Sequence, residues 1–282
     1  MKTISRRRFI GGAAAATGAA LTGPSRALAG GKAGSPKAPS FKLGLASYTF
    51  REFDLDATLA MARRLAFERI TLKDMHLPLD SPEDRIRAAA EKVRSAGLDP
   101  YGCGVVYMKS AAEVDRAFAY ARAGGMRVIV GVPDHDLLGR ASDRVRETGI
   151  KLAIHNHGPG DLLYPTAASI LSRISGLDPG VGVCLDVGHE TRSGLDPSEA
   201  ARACGPRLLD IHLKDVTAAT KDGATVEAGR GIIDLPGFLG TLAGLGFEGT
   251  AAFEYEKDGR DPLPGLAESL GYVRGILASW NG

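Results

Sequence analysis

From Phe41 onward the chain repeats one pattern eight times: a short apolar run, then a longer amphipathic stretch. The runs fall at Lys42–Ser47, Arg69–Lys73, Asp99–Val106, Met126–Gly131, Ile150–Asn156, Gly182–Asp186, Leu208–Leu213 and Gly249–Glu254. The stretches between and after them carry helical periodicity at 56–65, 82–96, 111–123, 137–147, 165–174, 197–203, 235–245 and 262–277. Strands separated by helices cannot pair as hairpins, so the pattern predicts a parallel sheet. Eight such units close into a single α/β domain, a (β/α)8 TIM barrel. An open doubly wound sheet would favour a glycine-rich phosphate loop after the first strand. Ser47-Tyr48-Thr49-Phe50 stands there instead. Ser81 before Pro82 and Asp196 before Pro197 read as helix caps, and Gly97, Gly125 and Gly246 as helix stops.

The first 29 residues follow another logic. Ser5-Arg6-Arg7-Arg8-Phe9 precedes a Gly/Ala-rich apolar stretch to about Leu21, and Ala27-Leu28-Ala29 offers a peptidase site. A basic start, a short apolar middle and small residues at the end describe an export signal of the twin-arginine class. The apolar run is too short to act as a stable membrane anchor. The expected organisation is a signal at 1–29, a flexible lead-in at 30–40, a barrel at 41–282, and a periplasmic or otherwise exported product. The signal holds five basic residues and no acids, so the whole-chain charge of +2 belongs to the leader. The remainder is net acidic, about −3, which excludes nucleic-acid binding through a global positive field. Cys103, Cys184 and Cys204 form no C-x-x-C pair and read as small buried hydrophobes.

A TIM barrel carries its chemistry at the C-terminal ends of its strands. All six histidines fall there on these assignments: His76, His135, His155, His157, His189 and His212. Asp186 ends the sixth run and Glu254 the eighth, with Glu256 two residues on. Residues at i and i+2 share a strand face, so His155 pairs with His157, His212 with Lys214, and Glu254 with Glu256. Carboxylates turned into a barrel need a counter-charge, and a divalent cation bound by two carboxylates and two imidazoles supplies it. Mixed oxygen and nitrogen ligands suit Mn, Co, Zn, Fe or Mg.

The ordered pieces HNHG, CLDVGH, DIHLKD and FEYE, with ITLKDMH and GRGIIDLPGF, carry a family likeness. Over about Phe41 to Ala278 the chain resembles the sugar phosphate isomerase/epimerase group of the xylose-isomerase-like TIM barrels. That group is similar to inosose dehydratase, 3-dehydroshikimate dehydratase, ketose 3-epimerases and endonuclease IV. Its metal set is an acid, an Asp, a His and a Glu from strands five to eight. Asp186, His212 and Glu254 match, while His155 replaces the strand-five acid. His157 and His189 match acid/base positions of the dehydratase relatives, and Lys214 joins them as a catalytic candidate. Lys73, His76, Asp215, Arg230 and Glu256 are the expected substrate contacts.

The resemblance implies a metal-dependent isomerase or epimerase acting on a sugar or keto-sugar through an enediolate. The alternative is a dehydratase, hydratase or lyase acting on a keto-sugar or inosose, since the first proton transfer is shared. An endonuclease-IV-like phosphodiesterase needs more metal ligands and basic loops. A non-catalytic sugar-binding barrel would lack the proton-transfer groups present here. The expected partner is a small polyhydroxy carbonyl compound, with oligomeric state open and dimers common in the group.

Overall fold

A computed structural model describes residues 39–280; the expected signal peptide and most of the lead-in lie outside the described residues. The eight runs form parallel strands: β1 (Lys42–Ala46), β2 (Arg69–Leu72), β3 (Asp99–Met108), β4 (Val128–Pro133), β5 (Lys151–His155), β6 (Val181–Asp186), β7 (Leu208–Leu213) and β10 (Thr250–Phe253). They close in the order β1-β10-β7-β6-β5-β4-β3-β2, so the barrel predicted from the alternation is the barrel observed. The outer layer comprises α1 (Leu55–Arg64), α2 (Glu83–Ser95), α3 (Ala111–Gly124), α4 (Leu138–Thr148) and α5 (Ala167–Ile174). It continues through α7 (Pro197–Cys204), α8 (Leu235–Gly244) and α9 (Leu263–Ser279). Two pieces have no counterpart in the sequence pattern. A short helix, α6 (Val187–Arg192), follows β6 directly, and β8 (Asp215–Val216) pairs antiparallel with β9 (Thr225–Val226) beyond β7.

Local chemistry sets the helix ends. Asp196 caps α7 by accepting from Ser198 N, with Pro197 at the first helical position. The expectation for α2 is corrected: Pro82 is itself extended (φ −62°, ψ 152°) and occupies the cap position, so Ser81 caps nothing and the helix opens at Glu83. Gly97 and Gly125 take positive φ just past α2 and α3, where a side chain would be strained. The three cysteines are buried free thiols, each pushed up to about 12 by burial, as suits inert core groups. Among the described residues no helix is long and apolar enough to cross a membrane.

Barrel closure sets the heights of the polar residues. In the ladders His155 lies opposite Cys184, Asp186 opposite His212, and His212 opposite Ala252. Tilted strands place residues of equal height out of ladder register. His155, Asp186, His212 and Glu254 therefore meet at one level of the bore, although two of the three ladders pair them two residues apart.

Candidate metal centre and active site

His155 ends β5, Asp186 ends β6, His212 lies within β7 and Glu254 follows β10; their exposures are only 1, 0, 1 and 5%. One ligand atom from each lies within 4.8 Å of all the others. His155 Nε2 is 3.0 Å from His212 Nδ1 and 3.4 Å from Asp186 Oδ2, while His212 Nδ1 is 3.2 Å from Glu254 Oε2. Ligands bound at about 2.0–2.2 Å around one ion sit about 3–3.5 Å apart. The donor set fits a divalent cation on that spacing. Burial pushes His155 down to about 3, leaving the neutral imidazole that a metal needs. Burial alone would raise Asp186, but His189, Lys214 and His155 outweigh it and hold the carboxyl well below its usual range. Asp186 Oδ2 is buried with no backbone partner and faces only His155 Nε2 at 3.4 Å and Lys214 Nζ at 2.8 Å.

Lys214 is the cation of the site. Its Nζ lies 2.8 Å from both Asp186 Oδ2 and Glu254 Oε2, and 3.0 Å from Glu256 Oε2. Burial works against its charge, yet the three carboxylates hold its pKa well above the usual lysine range. Gly188 of the D-V-G-H motif makes room for it: a Cβ there would stand 2.5 Å from Lys214 Cγ.

Above this level a cavity of about 240 Å³ opens between Tyr48, Lys73, Val105, Tyr107, His155, His157, His189, Glu254 and Glu256. Its size, and the charged and hydroxyl-bearing side chains set in its wall, suit a molecule on the scale of a monosaccharide. His157 Nε2 lies 2.9 Å from the Tyr107 hydroxyl, while its Nδ1 is buried without a partner. The His157 and His189 rings stand 5.9 Å apart, and burial lowers the pKa of both. Lys73 lines the cavity with its Nζ held by Val105 O at 2.7 Å and by Asp74.

Three expected substrate contacts are placed elsewhere. Asp215 is fully buried, and its carboxylate accepts from the backbone N–H groups of Val216, Gly229, Gly231 and Ile233, pinning the loop that carries G-R-G. The alternation of β7 ends at Leu213, so Asp215 turns into the ribbon rather than the bore. Arg230 projects outward to Glu268 of α9, with Nη2 2.8 Å from Oε2. His76 is buried in the wall, bonded to Ser47 Oγ, Thr58 Oγ1 and Phe50 O. His135 likewise faces Leu163 O, so four of the six histidines form the centre and two brace its surroundings.

Tyr48 and Tyr107 have no place among the sequence candidates. Tyr107 escapes because β3 runs two residues past its expected end. Asp210 is missed for another reason: it shares the inner face of β7 with His212, one layer deeper, and only barrel closure shows it fully buried beside Tyr101. Burial pushes Asp210 up to about 7 from a usual 3.8, with His212 working the other way. A raised carboxyl pKa means that its contribution to stability is complete below about pH 4 and is lost as pH rises through about 7. In chelator, thermal midpoints of the wild type should therefore fall relative to Asp210→Asn across that window. A constant difference between the two would contradict it.

The chain belongs to the xylose isomerase-like TIM barrel family, whose sequence model matches residues 59–276. It is 28% identical over 148 residues to the rhizopine catabolism protein MocC of Rhizobium meliloti, covering 47% of this chain and 43% of that protein. It is 30% identical over 138 residues to an inosose dehydratase of Lacticaseibacillus casei, covering 43% and 45%. The matches span under half the length of these curated relatives. Among solved structures, the IOLI protein with a bound zinc atom superposes with a TM-score of 0.72 over 85% of this chain and 99% of that one; at 18% identity the likeness is one of fold.

Proposed function

We propose that this chain is a metal-dependent enzyme that removes the proton next to the carbonyl of a keto-sugar or inosose and expels the oxygen substituent one carbon further on. One observation carries the reading: His155 and Glu254 of the four grouped side chains line one sugar-sized cavity together with His157 and His189, two histidines of lowered pKa. The relatives named inosose dehydratase support it. His155, Asp186, His212 and Glu254 would hold the ion, which when bound polarises the substrate carbonyl and makes the adjacent carbon acidic. His157, with Nδ1 buried and unpartnered, is the base that takes that proton. His189 lies 4.0 Å from Asp186, whose charge partly offsets the lowering of its pKa by burial, and it is the group that gives a proton to the departing oxygen. Tyr107 orients His157 through its Nε2. Lys73 and Glu256, which line the cavity, would bind substrate hydroxyls.

Isomerisation or epimerisation is the second reading, favoured by Glu256, a carboxylate in the same cavity as the histidines that can serve as a second proton carrier. Incubation with inosose and with keto-hexoses in D2O separates the two. Elimination gives an unsaturated product absorbing in the ultraviolet, whereas epimerisation gives a saturated product carrying deuterium beside the carbonyl. Neither product from any keto-sugar, with metal loaded, would contradict both.

A further inference from the structure

The HNHG and CLDVGH motifs contain or border two residues that the site has not used, Asn156 and Glu190. Both are buried, at 0 and 1% exposure. Asn156 follows His155, so strand alternation turns its side chain away from the ligand face. The β5–β6 ladder ends at His155 opposite Cys184, two residues short of Asp186. The Asn156 amide supplies the missing rung: Oδ1 accepts from Asp186 N at 2.8 Å, and Nδ2 donates to Asp186 O at 3.2 Å. Nδ2 also donates to Glu190 Oε2 at 3.0 Å, and Ala167 N donates to the same oxygen at 3.0 Å.

The direction of the amide matters. Oε2 offers only lone pairs here, so it draws the NH2 end of Asn156 and leaves the oxygen facing Asp186 N–H. A reversed amide would set NH2 against N–H. With its backbone held, Asp186 caps α6 through Oδ1, which accepts from His189 N at 2.8 Å. Oδ2 is then the oxygen left facing His155 and Lys214.

We infer that Glu190, acting through Asn156, is the positioning residue that presents Asp186 to the metal. It touches no ligand side chain and lies outside the cavity, yet it governs how tightly the ion is held. The inference rests on the metal reading above, and it concerns affinity rather than the reaction.

The test is zinc affinity of the full chain, measured by competition with a chromophoric chelator. Loss of a partner that orients a ligand lowers metal affinity by about tenfold to a hundredfold. Glu190→Leu and Asn156→Ala should each show that loss. The double variant should be no weaker than Asn156→Ala alone, because both act through one amide. Glu190→Gln keeps an acceptor oxygen at the same place and should stay within about threefold of wild type, which a role resting on charge would not allow, while the loss in Glu190→Leu, which keeps similar bulk, is what a packing role would not give. Should Glu190→Leu fail to fold, the isosteric Asn156→Asp, which lacks the NH2 donor, must show the same loss. Wild-type affinity in Glu190→Leu or Asn156→Asp, or losses that multiply in the double variant, would overturn the inference while leaving the metal reading intact. Absence of zinc binding by wild type would instead overturn the metal reading and the inference with it.

Discussion

Replacing Asp186 or Glu254 by alanine should lower affinity for a divalent ion by more than about a hundredfold, beyond the loss ordinarily seen for a residue one step removed from the metal. Each supplies one of only two carboxylate oxygens in the four-ligand set, and no other acid stands among the grouped ligands. The same variants should keep most of their stability in chelator. Lys214 retains Glu256 and whichever of the two acids remains, so no buried charge is stranded. Chelator competition reads the affinity and a thermal melt reads the stability. Loss of both together would mean that the acids serve the fold rather than the ion.

Lys214→Met should show the opposite profile. Methionine fills the volume of the buried stem but removes the ammonium that lies between Asp186 and Glu254 in the bore. Breaking a buried ion pair from one side costs about 3–5 kcal/mol, so the variant should melt well below wild type in chelator. A divalent ion then takes over the counter-charge that Lys214 supplied. Its stabilising effect follows the free ion concentration relative to Kd, about 2.7 kcal/mol at a hundredfold excess. Removal of the competing positive charge lowers Kd, so the metal-induced rise in melting temperature should be larger in Lys214→Met than in wild type. A variant as stable as wild type in chelator would contradict this account of Lys214.

Much of the architecture is legible in the sequence because parallel strands buried on both faces leave uninterrupted apolar runs, as in Val181–Asp186. The clustering of His155, Asp186, His212 and Glu254 is legible because polar residues that end such runs have only the bore to enter. What escapes has physical reasons. The two-residue strands β8 and β9 are too short for any periodicity, and the six-residue α6, with Gly188 inside it beside Lys214, is too short to show a helical repeat. Asp215 and Arg230 are expected at the substrate only from the family likeness, and they lie away from it because the backbone turns after Leu213 into the β8–β9 ribbon and the loop that follows. Asn156 and Glu190 are separated by 34 positions, and only closure of β5 against β6 shows that one orients the other. Pairing partners across a barrel are set by stagger, which no single strand contains.

The central claim is that one divalent ion sits among His155, Asp186, His212 and Glu254. Anomalous diffraction from crystals of the full chain grown with zinc, recorded on both sides of the zinc absorption edge, tests it most directly. The account predicts one strong peak about 2.0–2.2 Å from His155 Nε2, Asp186 Oδ2, His212 Nδ1 and Glu254 Oε2. No peak among these four side chains, or a peak held elsewhere in the barrel, would contradict it.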